Sequence, residues 1–74
     1  MPQLYSVILV YSTSHAMHLE KIAAQAGIAC RLIPVPRHLS SDCGVCVRIA
    51  RDHSARMQEI IAASRIGIVG IREI

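Results

Sequence analysis

Seventy-four residues make one domain, residues 1–74, near the lower limit at which a single core holds a fold without staples, and a 53% hydrophobic content is generous for that size. Three cysteines, an odd number, and no basic stretch leading into an apolar run with a cleavage site argue against secretion and a disulfide framework, so the expected location is the reducing cytoplasm; the longest apolar run, Val7 to Tyr11, is far short of the ~20 residues of a membrane span. The net charge of +3 carries seven arginines among eight basic residues, which suits docking onto carboxylates or phosphates, but two tyrosines as the only aromatics leave no stacking platform for nucleic acid, so neither nucleic acid nor membrane is an expected partner.

Leu4 to Tyr11 is rich in β-branched and aromatic residues and short enough for a buried strand, the central one of the fold. Ser12, Thr13 and Ser14 supply N-cap hydroxyls, and Ala16, Leu19, Ile22, Ala23 and Ala26 recur at helical spacing up to Gly27, a natural left-handed stop. Ile28 to Ile33 reads as a second strand ending at Pro34. After a special loop, Val45, Val47 and Ile49 alternate with Cys46, Arg48 and Ala50 as a third. Asp52 is positioned to cap a second helix that turns Met57, Ile60 and Ile61 to the core and ends near Ser64. Arg65 and Gly67 lead to a last strand over Ile66 to Arg72.

Strand, helix, strand, strand, helix, strand is the split β-α-β order: an α+β, ferredoxin-like sandwich with two helices on one face of an antiparallel sheet. In that architecture the turn into the first helix and the loop between strands two and three leave the sheet at the same end. The loop would then lie near Ser12 to His15, where free backbone amides and the helix dipole favour an anion, with Arg65 at the end of the second helix within reach.

The loop itself, Pro34-Val-Pro-Arg-His-Leu-Ser-Ser-Asp-Cys-Gly-Val-Cys46, spends residues a core does not need. Pro34 and Pro36 fix the backbone in extended or turn geometry, Ser40, Ser41 and Asp42 fold back onto backbone amides, and Cys43 follows beside Gly44. A thiolate, not a thiol, attacks a persulfide, and a helix amino end or a cation lowers a cysteine's pKa from about 8.5. Cys43 is therefore the candidate carrier thiol. Arg37 and His15 are its candidate supports, with His38 and Arg65 further cations nearby, and amides from Ser41 to Gly44 could cradle a terminal sulfur or selenium anion. Gly44 permits the positive φ such a turn often needs. Each residue also has a plainer reading: His15 as a helix start, His38 as a solvated loop side chain, the serines as partners of their own backbone, and His18 and His53 as helix surface. Cys30, in register with Leu32, reads as a core cysteine.

The run Cys30-Arg-Leu-Ile-Pro-Val-Pro-Arg-His-Leu-Ser-Ser-Asp-Cys-Gly44, preceded by a strand, a Ser/Thr-His turn and a helix ending Ala-Gly-Ile, resembles the selenium/sulfur carrier-like family of small prokaryotic domains over nearly the whole chain. That resemblance implies Ser40, Ser41, Cys43 and Gly44 as motif positions, Cys43 as the thiol that holds sulfur or selenium, and donor and acceptor proteins as partners. The expectation is a carrier that turns over without being a conventional enzyme, with no cofactor and no metal. Cys46 completes a Cys-x-x-Cys that is not part of the family pattern; it is a candidate second thiol, although four extended residues would hold its Cα about 10 Å from that of Cys43, beyond the ~7 Å of a disulfide.

Two alternatives remain open. Cys43 and Cys46 could bind Cu(I) or, with His38 and His15, Zn(II) as a metallochaperone-like domain, although such chaperones place their thiols before the first helix, where this chain has Tyr11-Ser-Thr-Ser-His15. The other is a non-catalytic regulatory or interaction module. Finally, the first strand is apolar on both sides, Leu4, Ile8 and Val10 against Tyr5, Val7, Leu9 and Tyr11, as is the last. A sheet face left bare by the helices is then expected to be buried in a homodimer or against a partner.

Overall fold

The computed structural model describes residues 4–39 and 44–74, and its elements follow the expected order. Strand β1 spans Tyr5–Leu9, helix α1 Thr13–Gln25, strands β2 and β3 Cys30–Pro34 and Val45–Ala50, helix α2 Ser54–Ser64 and strand β4 Gly70–Glu73. The sheet order is β2-β3-β1-β4 with every neighbouring pair antiparallel, so β1 and β2 point the same way. This is the ferredoxin-like α+β arrangement, and no described helix is long and apolar enough to cross a membrane.

Directly paired residues share a face, which sorts the side chains. Ile8, Val47 and Ile71 meet across one row and, with Val10 and Ile49, face Ala16, Leu19 and Ala23 of α1 and Met57 and Ile61 of α2. Both helices thus cover one face. Ile8, Leu19, Ile49 and Met57 are essentially inaccessible, and burial of each such side chain contributes roughly 1.5–3 kcal/mol. The single buried polar side chain among the described residues, Ser6, accepts a hydrogen bond from the Ser54 hydroxyl at 3.1 Å and so ties the first residue of α2 to β1.

Helix α1 closes as its sequence dictates. Gly27 takes φ +78°, the Ile28 amide donates to the Ala23 carbonyl at 2.8 Å and the Gly27 amide to that of Ala24 at 3.1 Å. This is a Schellman closure, with Ile28 and Ala23 making its apolar contact inside the core.

Four expectations need correction. Asp52 does not cap α2: Arg51–His53 form a 3-10 turn, and His53 precedes the helix without a side-chain cap. Nor does the last strand begin at Ile66. Arg65 leaves α2 in the left-handed region at φ 57°, Ile66 and Ile68 pack against the helix-side core, and pairing with β1 begins at Gly70 opposite Leu9. Strand β2 starts two residues late, because Gly27 and Ile28 are used to close α1. The last correction concerns the face away from the helices. Val7, Leu9 and Cys46 there are 0–2% exposed, because Ile33, Val35 and Leu39 of the same chain pack over them. Beside this cluster the face carries Arg31, Arg48 and Arg72, so the bare apolar patch from which a homodimer was expected is not present.

Arg51 fastens the lower edge. It donates to the Tyr5 carbonyl at 3.2 Å and to that of Ile74 at 3.0 Å, and pairs with Glu73 at 3.0 Å. With Glu73 mostly exposed, the ion pair itself contributes at most about 1 kcal/mol, and the backbone bonds do the holding.

Candidate functional site

The end of the sheet where β1 leads into α1 also receives the connection from β2 to β3, because Leu9 pairs with Cys46 and Cys46 with Ile33. The segment before β4 returns there too. The Val69 amide donates to the Leu9 carbonyl at 2.8 Å, and Gly67 lies against the Tyr11 ring, close enough that a Cβ would stand 3.8 Å from it. One end of the molecule therefore assembles the start of α1, the 35–44 connection and the chain leaving α2. This is the convergence the topology predicts.

Ser12 caps α1. Its hydroxyl oxygen accepts from the His15 backbone amide at 3.3 Å and sits 2.6 Å from His15 Nδ1. The Ser12 hydroxyl thus meets both the backbone amide and the ring of His15. His15 occupies the third helical position, where a capping box carries Glu, but its ring contacts the Ser12 hydroxyl rather than the Ser12 amide. His15 is thus first a helix-start residue, half-buried, with Nε2 as its remaining polar atom.

The connection is fastened at both described ends. The Val35 amide donates to the Gly44 carbonyl at 3.1 Å, one step beyond the last paired residues, Pro34 and Val45. The Leu39 amide donates to the Pro36 carbonyl at 2.9 Å, closing a tight turn with Arg37 and His38 at its exposed central positions. Leu39 then packs inward on Val7, Leu9 and Cys46. Pro36 begins a turn that presents Arg37 to solvent while its last residue anchors the loop to the sheet. Sequence reading did not single out Leu39. The signal was an isolated large apolar residue in an otherwise polar Arg-His-Leu-Ser-Ser stretch, which a solvated loop has no reason to keep.

Ser40, Ser41, Asp42 and Cys43 lie outside the described residues. Of the other expected site residues, Arg37 is exposed and makes no ion pair among the described residues. Arg65, also exposed, ends α2. Gly44 is the first described residue after Cys43. A Cβ on it would meet no described atom within 4 Å, and its carbonyl holds Val35.

The two described thiols are both drawn into packing. Cys46 is fully buried beneath Leu39, on the sheet face away from the helices. Cys30 lies on the helix side, half-buried, with Sγ 3.8 Å from the Glu20 carbonyl. Burial, assisted by the nearby Glu20 carboxylate, pushes the Cys30 thiol above its ordinary pKa. Among the described residues no group of three His, Cys, Asp or Glu side chains is placed to hold a metal ion.

A family model described as "Putative Se/S carrier protein-like" matches residues 5–73, from the first residue of β1 to the last of β4. No curated protein and no solved structure matches the chain.

Proposed function

Because this chain belongs to the Se/S carrier protein-like family, we propose that it is a cytoplasmic sulfur or selenium carrier whose working atom is the Cys43 sulfur. The observation that carries the reading is the fastening of the 35–44 connection. Leu39, packed on the Val7–Leu9–Cys46 cluster, and the Val35–Gly44 bond hold the two described ends of that connection at the sheet end where α1 begins, which supports a positioned thiol lying between them in sequence. Ser12, with its hydroxyl on His15, and the exposed Arg37 are described polar groups at that same end. The remaining thiols are engaged in the two cores.

The chemistry is a transfer of one neutral chalcogen atom. The Cys43 thiolate attacks the outer sulfur of a donor persulfide, a bond forms between the two sulfurs, and the donor's inner sulfur leaves as thiolate, carrying the electron pair of the broken bond. An acceptor nucleophile then attacks the outer atom of the Cys43 persulfide, and the Cys43 thiolate is released unchanged. With a perselenide donor the same displacement leaves a selenosulfide. No external oxidant or reductant enters, so the protein turns over as a carrier between a donor and an acceptor enzyme. The exposed end formed by Tyr11, Arg37 and the chain leaving α2 is where such partners would meet it, rather than a homodimer through the covered sheet face.

A dithiol metal site on Cys43 and Cys46 is the less favoured reading, because Cys46 could reach a shared ion only if Leu39 left the cluster with Val7 and Leu9. Incubation with a cysteine desulfurase and either cysteine or selenocysteine, which charge the desulfurase as its persulfide or perselenide, followed by intact mass, tests the carrier. The wild type and the Cys30→Ala and Cys46→Ala variants gain one sulfur or selenium atom, and Cys43→Ser gains none. Loading of Cys43→Ser contradicts the proposal. One metal per chain after anaerobic Cu(I) titration, lost in both Cys43→Ser and Cys46→Ala, would favour the metal reading instead.

A further inference from the structure

We propose that the cleft at the opposite end of β2 from the 35–44 connection binds a tetrahedral oxyanion, the phosphate or sulfate group of a small molecule. The cleft encloses about 370 Å³ where β2 begins and β3 ends, and its polar lining is Tyr5, Cys30, Arg31, Arg48 and His53. That volume is at the small end of the roughly 300–1,000 Å³ of small-molecule sites.

Three features point to an anion. In the β2–β3 register Arg31 stands directly opposite Arg48, so two guanidinium groups share one face of adjacent strands. Like charges so placed destabilise a sheet unless something lies between or beside them to compensate. No carboxylate of the described residues does so: neither arginine has an acidic partner there, where Arg51 and Glu73 make the ion pair, and no Asp or Glu lines the cleft. The orientation of Arg48 is also fixed. Its guanidinium carbon lies over the Tyr5 ring, 4.2 Å from the centroid, a contact that is compatible with its N–H groups donating to an acceptor. His53, at the turn into α2, adds an imidazole to the wall. An oxyanion seated between the two guanidinium edges converts a repulsive pair into charge-assisted hydrogen bonds, which are the strong kind. This site shares no residue with the carrier loop and does not depend on that reading.

The test titrates the whole chain, purified without phosphate, with inorganic phosphate, sodium sulfate and adenosine monophosphate at constant ionic strength. Backbone and arginine side-chain NMR signals are the readout, with chloride as the control anion. Saturable shifts confined to Tyr5 and residues 29–31 and 48–53 are expected, with Arg31→Gln and Arg48→Gln each weakening the affinity by about tenfold and exposed Lys21→Gln leaving it unchanged. Tighter binding of the nucleotide than of free phosphate supports a phosphate monoester as the ligand, and equal binding supports the free oxyanion. Absence of saturation with all three probes overturns the proposal, as does a response that chloride reproduces or that Lys21→Gln reduces equally. Arg31 is exposed on an edge strand, so its variant tests the site even if Arg48→Gln disturbs the Tyr5 stack.

Discussion

Cys30 and Cys46 show what packing does to a thiol in this chain. Cys30 holds its proton more tightly than a free cysteine because burial and the Glu20 carboxylate both disfavour the thiolate. The sign follows directly: at a pH where an ordinary thiol is partly ionised, Cys30 is less so, and its alkylation rate rises only at more alkaline pH. In a Cys43→Ser, Cys46→Ala background, Cys30 alkylation by iodoacetamide should therefore show a midpoint above that of the same chain in urea; a midpoint at or below the unfolded value would contradict this. Cys46 is silenced by inaccessibility instead. Of these two fates, only that of Cys30 was readable in the sequence, from its register with Leu32. Cys46 looked like half of a Cys-x-x-Cys because nothing local reveals that Leu39 covers it. His15 was readable as a helix start, but its bond to Ser12 is a cap detail that the string Ser-Thr-Ser-His only permits.

At the scale of elements, β1, α1 and β3 were legible because each is set by a local signal: a β-branched run, helical spacing stopped by Gly27, and strict alternation. The errors fall where tertiary contacts decide. Ile66 and Ile68 alternate like strand residues, yet they pack beneath the helix side before pairing starts at Gly70. Asp52 looked like a cap because a 3-10 turn before a helix has no distinct sequence mark. The connection's conformation was the least readable part, since it depends on Leu39 finding the Val7–Leu9–Cys46 cluster across the sheet face. Leu39→Ala should cost roughly 1 kcal/mol, less than a fully buried leucine because Leu39 is only half-buried, and should raise the alkylation rate of Cys46. Denaturant unfolding and timed labelling measure the two effects. An unchanged Cys46 rate would mean that Leu39 is not its cover.

For the whole molecule, the face away from the helices decides how the protein meets others. Read from the first and last strands that face looked apolar. The partner strands bring Arg31, Arg48 and Arg72 onto it, and the chain's own Val35 and Leu39 close the rest. A lysine at Val7 is thus placed inside a packed cluster and not on an interface. Val7→Lys should destabilise the folded chain by about 3 kcal/mol, a large share of what a small domain has, and sedimentation should report loss of compactness rather than dissociation of a dimer. A folded, monomeric Val7→Lys protein from a dimeric parent would restore the interface reading.

The central claim, that one thiol of three carries the chalcogen, is tested most directly by locating the added atom in the wild-type protein. After loading from a persulfide donor under non-reducing conditions, alkylation and peptide-resolved mass spectrometry should find the extra sulfur or selenium on the peptide containing Cys43, with Cys30 and Cys46 recovered without it. Sulfur or selenium on Cys30 or Cys46, or on none of the three after the donor has turned over, would contradict the account.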